Sequence, residues 1–159
     1  MSNQPQQRMP LPDDFEELDF TVEEKNWNEY ELADGSRIKG RLILKKIIRD
    51  PNNPNNYNFD LQQPFYAVYA PHANRGSRNN EPQPHEYVTL PNYEVRTTRN
   101  DERWNKYRIL RTGHIMKIKL TVTEIHRITD RFDKDGIPFY LVTAGPTVVI
   151  SPSNGRLQP

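Results

Sequence analysis

Four histidines, twenty-one carboxylates and no cysteine are the groups from which this chain could build chemistry. His72, His85, His114 and His126 never pair at a metal-ligand spacing such as His-x3-His, and no carboxylates cluster around them. Asp133-Lys134-Asp135-Gly136 has the look of a calcium loop. Such a loop also needs an acid at 131 and a bidentate Glu at 142, where this chain has Arg131 and Val142. A hairpin turn accounts for these four residues. The seven glycines are scattered and build no phosphate loop. The absence of cysteine removes thiolate nucleophiles, disulfides and Cys-ligated zinc together. No catalytic, metal-binding or cofactor-binding residue is therefore assigned, no cofactor is expected, and the chain reads as a non-enzyme. Carboxylates paired only in space are the one catalytic route left open.

The cations say more. Arg37, Lys39, Arg41 and Lys45 fall along one run, and Lys117 and Lys119 fall along another. With Tyr66, Tyr69, Tyr87, Tyr93 and Tyr107 nearby in sequence, they supply positive charge for phosphates and rings for bases, the mix used by single-strand nucleic-acid surfaces. The same cations also suit a solvated strand face, where charge deters edge-to-edge pairing.

The elements carrying these residues occur in duplicate. Ile38–Arg49 matches Met116–Arg127 at a distance of 78 positions, with Lys39/Lys117, Leu42/Leu120, Ile47/Ile125 and Arg49/Arg127 identical. Upstream, Trp27-Asn28-Glu29-Tyr30 answers Trp104-Asn105-Lys106-Tyr107, which contain the only two tryptophans. Downstream, Pro64-Phe65-Tyr66-Ala67-Val68 answers Pro138-Phe139-Tyr140-Leu141-Val142. Three blocks in one order indicate an internal repeat. Trp27, Tyr30, Trp104 and Tyr107 are the expected core anchors.

Each repeat alternates in polarity with period two, which predicts strands. Ile38, Gly40, Leu42 and Leu44 take one side and Arg37, Lys39, Arg41 and Lys45 the other; Met116, Ile118, Leu120 and Val122 oppose Lys117, Lys119, Thr121 and Thr123. Asp34-Gly35 between two such runs predicts a hairpin. The stretch from Glu31 to Leu42 resembles the opening hairpin of Sm-like and SH3-like small barrels. That resemblance implies a hairpin and carries no site. Asp50–Asn56 reads as a loop tip, and Thr147–Ile150 as a closing strand.

The expected organisation is an acidic, proline-containing arm (1–24), repeat one (25–69), a flexible linker with a short strand (70–103), repeat two (104–150) and a polar tail (151–159). The arm carries seven acids against Arg8, a balance of −6, so the remainder carries +7. Such a split marks either an arm folded over a basic body or a solubilising tail. Phe15, Leu18, Phe20 and Val22 predict a short helical turn entering a strand, and Tyr87–Leu90 and Tyr93–Val95 a short strand on either side of Pro91. A unit of ~45 residues is small for independent folding. The fold class expected is thus all-β, a pseudo-twofold duplicated small barrel or sandwich of two such units with polar arms.

The start lacks the apolar core of a secretory signal, and no apolar stretch approaches the ~20 residues of a membrane span. A cytoplasmic protein without membrane contact is expected. The function these features predict is a non-catalytic interaction or scaffold protein in a larger assembly, with a protein partner or its own copies. The alternative is a nucleic-acid-binding small barrel using Arg37, Lys39, Arg41, Lys45, Lys117 and Lys119.

Overall fold

The computed structural model describes residues 15–152; the outermost parts of the expected arm and tail, 1–14 and 153–159, lie outside the described residues. Ten strands run in chain order: β1 (Glu16–Leu18), β2 (Phe20–Glu24), β3 (Asn28–Leu32), β4 (Arg37–Arg49), β5 (Tyr57–Tyr69), β6 (Asn92–Glu94), β7 (Thr97–Asp101), β8 (Trp104–Ile109), β9 (Ile115–Phe132) and β10 (Pro138–Ser151). They form two antiparallel five-stranded sheets, and no α-helix occurs among the described residues. No helix there is long and apolar enough to cross a membrane.

In the first sheet β3, β4 and β5 form a meander, β1 lies along the far end of β4, and β7 flanks β3. In the second, β8, β9 and β10 form the meander, β6 lies along β9, and β2 flanks β8. β2 thus leaves the first sheet for the second, and β7 makes the reverse crossing. The central strands follow from alternation. Between 38 and 49 the order of buried, half-buried and exposed positions along β4 is the same as that along β9 between 116 and 127. The Asp34-Gly35 turn joins β3 to β4, with Gly35 at φ +93°, a backbone that side chains other than glycine rarely adopt.

Two apolar clusters lie between the sheets. One joins Tyr30, Leu32 and Ile38 of the first sheet to Val95 and Ile125. The other joins Tyr107, Ile109, Met116 and Ile118 of the second to Leu18, Leu42 and Ile47. Each therefore combines the start of one meander with the far end of the other sheet's long strand.

Several expectations change. Residues 15–22 form no helical turn; 16–24 of the expected arm are β1 and β2, held to the body by Glu16–Arg49, Glu17–Lys46, Glu23–Arg108 and Glu24–Lys106 ion pairs. The charge split is, over these residues, an acidic segment folded onto a basic body. Residues 87–90 are a turn, and the strand beside Pro91 is β6 alone. The linker is pinned to the β9–β10 tip: Gly76 N–H donates to Gly136 O at 3.0 Å, and Asn80 Oδ1 accepts from Phe132 N–H at 2.9 Å. Gly76 lies flat against the Phe132 ring, with no room for a Cβ. Thr147–Ile150 is the end of β10 rather than a separate strand.

The third block of the repeat is out of register. Tyr66 stands opposite Gly40 on β4, whereas Tyr140, its match in sequence, stands opposite Arg127 on β9. The residue placed like Tyr140 is Tyr57, opposite Arg49, so local identity of Pro-Phe-Tyr misaligned the two hairpins. Nor do the sheets close into a barrel. No ladder joins β5 to β10; Pro64 and Pro146, which lack the N–H a ladder needs, face a gap of about 210 Å3 floored by Leu42 and Leu120.

Candidate interaction faces

Alternation places the two residues of each Trp-Asn pair on opposite sides of the sheet. Asn28 and Asn105 point inward and are buried. Each accepts from the residue preceding the other's tryptophan: Arg103 N–H donates to Asn28 Oδ1 at 2.8 Å, and Asn26 N–H donates to Asn105 Oδ1 at 2.7 Å. Asn28 also donates to Leu120 O at 2.8 Å. Buried amides of this kind hold only while all partners are present, so the reciprocal pair ties the two sheets together.

Tyr30 and Tyr107 are buried. Trp27 and Trp104 have the opposite parity and lie half-buried on the outer faces. Their rings meet cations instead of the core. Lys39 Nζ and the Arg41 guanidinium carbon lie 5.7 and 5.1 Å from the Trp27 ring centre, and Lys117 and Lys119 Nζ lie 5.1 and 4.7 Å from that of Trp104. Phe65 packs edge-on against Trp27 at 6.0 Å.

The six basic residues divide between two faces. A Cβ on Gly40 would come within 3.3 Å of Leu120, so the inner faces of β4 and β9 look at each other. Lys39 and Arg41 therefore leave one side of the molecule, and Lys117 and Lys119 the other. Arg37 lies 3.8 Å from Glu29 and stacks on Tyr69, and Lys45 lies 3.6 Å from Asp60. Every other Lys or Arg on β4, β8 and β9 likewise has a carboxylate within 4.0 Å. Lys39, Arg41, Lys117 and Lys119 have none among the described residues.

Two polar clusters, missed in the sequence, close the ends of the sandwich. Tyr140 donates to Asp34 Oδ2 at 2.6 Å and lies 2.9 Å from Ser36 Oγ; Arg127 donates to the same carboxylate oxygen at 3.1 Å, and Asn74 donates to Ser36 Oγ at 3.0 Å. Burial, and then the bond to Asp34, push the Tyr140 phenol well above the ordinary tyrosine range. At the other end Tyr57 Oη lies 2.8 Å from His114 Nδ1, and Glu16 accepts from Arg49 and Arg111 at 2.8 and 2.9 Å. The hydrogen bond from Arg49 holds the Glu16 carboxyl below the usual carboxylate range. Each cluster fits a hairpin turn of one sheet onto the far end of the other. Asp34 was legible only as a turn residue, because its partners lie about a hundred positions away.

Among the other histidines, His126 bonds Asn92 and Glu124, while His72 and His85 sit in short 3-10 turns. No group of three or more histidines and carboxylates that could hold a metal lies among the described residues. A cleft of about 460 Å3 runs beside the β3–β4 turn between Glu31, Arg37, Tyr69 and Thr98. Arg37 and Tyr69 stack on each other across its wall. The outer strands β5 and β10 each pair on one side only and expose Phe65, Tyr69, Val149 and Ile150. No protein-family model matches the chain, and no curated protein or solved structure matches it either.

Proposed function

We propose that this is a non-catalytic interaction protein, a tandem duplicate of a five-strand unit (β1–β5 and β6–β10) that presents like faces and edges to other proteins in an assembly. The duplication is supported by the common burial order of β4 and β9, by the reciprocal Asn28 and Asn105 bonds, and by the matching exchange of β2 and β7. The interaction role rests on one observation. Two long strands, β5 and β10, end their sheets with an unpaired edge, and β10 carries no charged residue from Pro138 to Ser151. An uncharged, β-branched edge is a template for strand addition. The more enclosed carboxylates, Asp34 and Glu102, accept hydrogen bonds inside the fold: Glu102 from Tyr30 Oη and Val122 N–H at 2.9 and 2.8 Å.

Light scattering on the full chain tests this. The expected mass exceeds 18.8 kDa and returns to it in Val149→Lys or Phe65→Lys, which charge the two edges. A wild-type mass of 18.8 kDa at every concentration, with no protein crosslinking to β5 or β10 in its source cells, would sink the reading.

The four unneutralised cations favour a second reading, binding of nucleic acid on the outer faces. Fluorescence anisotropy with single-stranded oligonucleotides at two salt concentrations tests it, because phosphate contacts impose a steep salt dependence. No binding at low salt eliminates it.

A further inference from the structure

We infer that the two Trp-cation clusters are twin docking sites for the carboxylates of an extended, acidic protein segment, one site on each sheet. The inference rests on the interaction reading above and names the chemistry of the partner.

The selection of charges is the first argument. Among the described residues, every Lys and Arg of β4, β8 and β9 has a carboxylate partner except Lys39, Arg41, Lys117 and Lys119, and these four are the ones that lie over tryptophan. A solvated face with no partner has no reason to leave the same two strand positions uncompensated in both sheets. The indole ring fixes where each cation sits. Side chains ordered before binding lose less entropy when a ligand arrives.

Spacing is the second argument. Lys39 and Arg41, like Lys117 and Lys119, are two residues apart on one strand, roughly 7 Å along it. Alternate side chains of an extended peptide repeat at the same interval. Such a segment also has backbone partners within reach, because the neighbouring strands β5 and β10 have open edges.

The rings decide against a nucleic acid. The tryptophan faces are occupied by cations. Phe65 and Tyr69 offer rings beside the first cluster, but the residues placed like them on β10 are Thr147 and Ser151. Base stacking is thus not shared by the two sites, and paired positive charge is. Because the clusters leave opposite sides of the molecule, one chain would bridge two acidic segments and gain avidity from both.

Trp27 and Trp104 are the only tryptophans, so emission excited at wavelengths that tyrosine does not absorb reads these two sites alone. The full chain is titrated with an uncharged-ended peptide of alternating Glu and Thr, and separately with oligo-dT and with inorganic tripolyphosphate. Trp104→Phe isolates the first site and Trp27→Phe the second. The expected result is a saturable change with the peptide in each single-tryptophan protein, weakening at least tenfold between about 20 and 200 mM salt. Lys39→Gln with Arg41→Gln should abolish it at Trp27 alone, and Lys117→Gln with Lys119→Gln at Trp104 alone, with unchanged circular dichroism. No peptide response, a response at one tryptophan only, or tighter binding of oligo-dT or tripolyphosphate overturns the inference. If the peptide fails while Val149→Lys still lowers the mass in solution, the twin sites fall and the interaction reading stands.

Discussion

The two buried asparagines are the residues on which the join between the sheets depends most directly. Asn28 holds Leu120 O and the Arg103 N–H, and the Asn105 carbonyl holds the Asn26 N–H. Replacing either with alanine leaves a buried backbone group without a partner, at a cost of about 1–3 kcal/mol. Urea melts of Asn28→Ala and Asn105→Ala should both show that loss. The pair replaced together should lose less than the sum, since both losses loosen one junction. The tyrosines make a second residue-scale prediction. Burial raises the phenols of Tyr30, Tyr66, Tyr107 and Tyr140 above the ordinary value of 10.0. The folded state keeps its proton where the unfolded chain releases it, so stability is full below pH 10.0 and falls as pH rises beyond it. Absorbance of these four phenolates should therefore rise together with loss of the circular dichroism signal, and an earlier rise of all eight tyrosines would contradict the packing.

Among the elements, β1 and β2 are held by backbone ladders and ion pairs and by few packed side chains, chiefly Leu18 and Phe20. Glu16 is lowered first by its hydrogen bond from Arg49, and Glu24 first by Asn26 and then by Lys106. A lowered carboxyl stabilises the fold above the unfolded value of 4.5 and ceases to do so as pH falls through the folded value. Hydrogen exchange should therefore show β1 and β2 opening before β4 and β9 as the protein is acidified, and Glu16→Gln should weaken that dependence at β1. The same weak burial explains why β1 was hidden in the sequence and β2 showed only as a strand after an expected helical turn. Glu16-Glu17 and Glu23-Glu24 have the composition of a tail, and β7 has mostly exposed side chains too, so no alternation marks it. β4 and β9 were legible because Leu42, Ile47, Leu120 and Ile125 alternate with solvated neighbours. The Asp34-Gly35 turn was legible for its backbone chemistry. The tryptophans were misplaced because size suggested core, while strand parity, already visible in Asn28 and Tyr30, put them outside. The Pro-Phe-Tyr match failed because ladder register depends on the length of the hairpin tip, and β9 runs on to Phe132 where β4 stops at Arg49.

At the scale of the whole molecule, the two halves of the chain are expected to be unable to fold apart. Neither apolar cluster belongs to one half: Tyr30, Leu32 and Ile38 pack with Val95 and Ile125, and Leu18, Leu42 and Ile47 pack with Tyr107, Ile109 and Met116. β2 and β7 each complete the other half's sheet, and Asp34 finds Arg127 and Tyr140 across the same divide. A fragment ending near residue 87 would keep its β3–β4–β5 meander with one apolar face bare and β2 without its ladder. Units this small rarely hold a fold without such cover. Fragments 1–87 and 88–159, made separately, should each give the circular dichroism of unfolded chain, and mixing them should restore the strand signal at one-to-one stoichiometry. Two fragments that each melt cooperatively alone would mean that the shared interior is not what stabilises this protein. The cut falls in the turn between Glu86 and Pro91, where no ladder is broken. Failure to recombine would then count against the interlock itself.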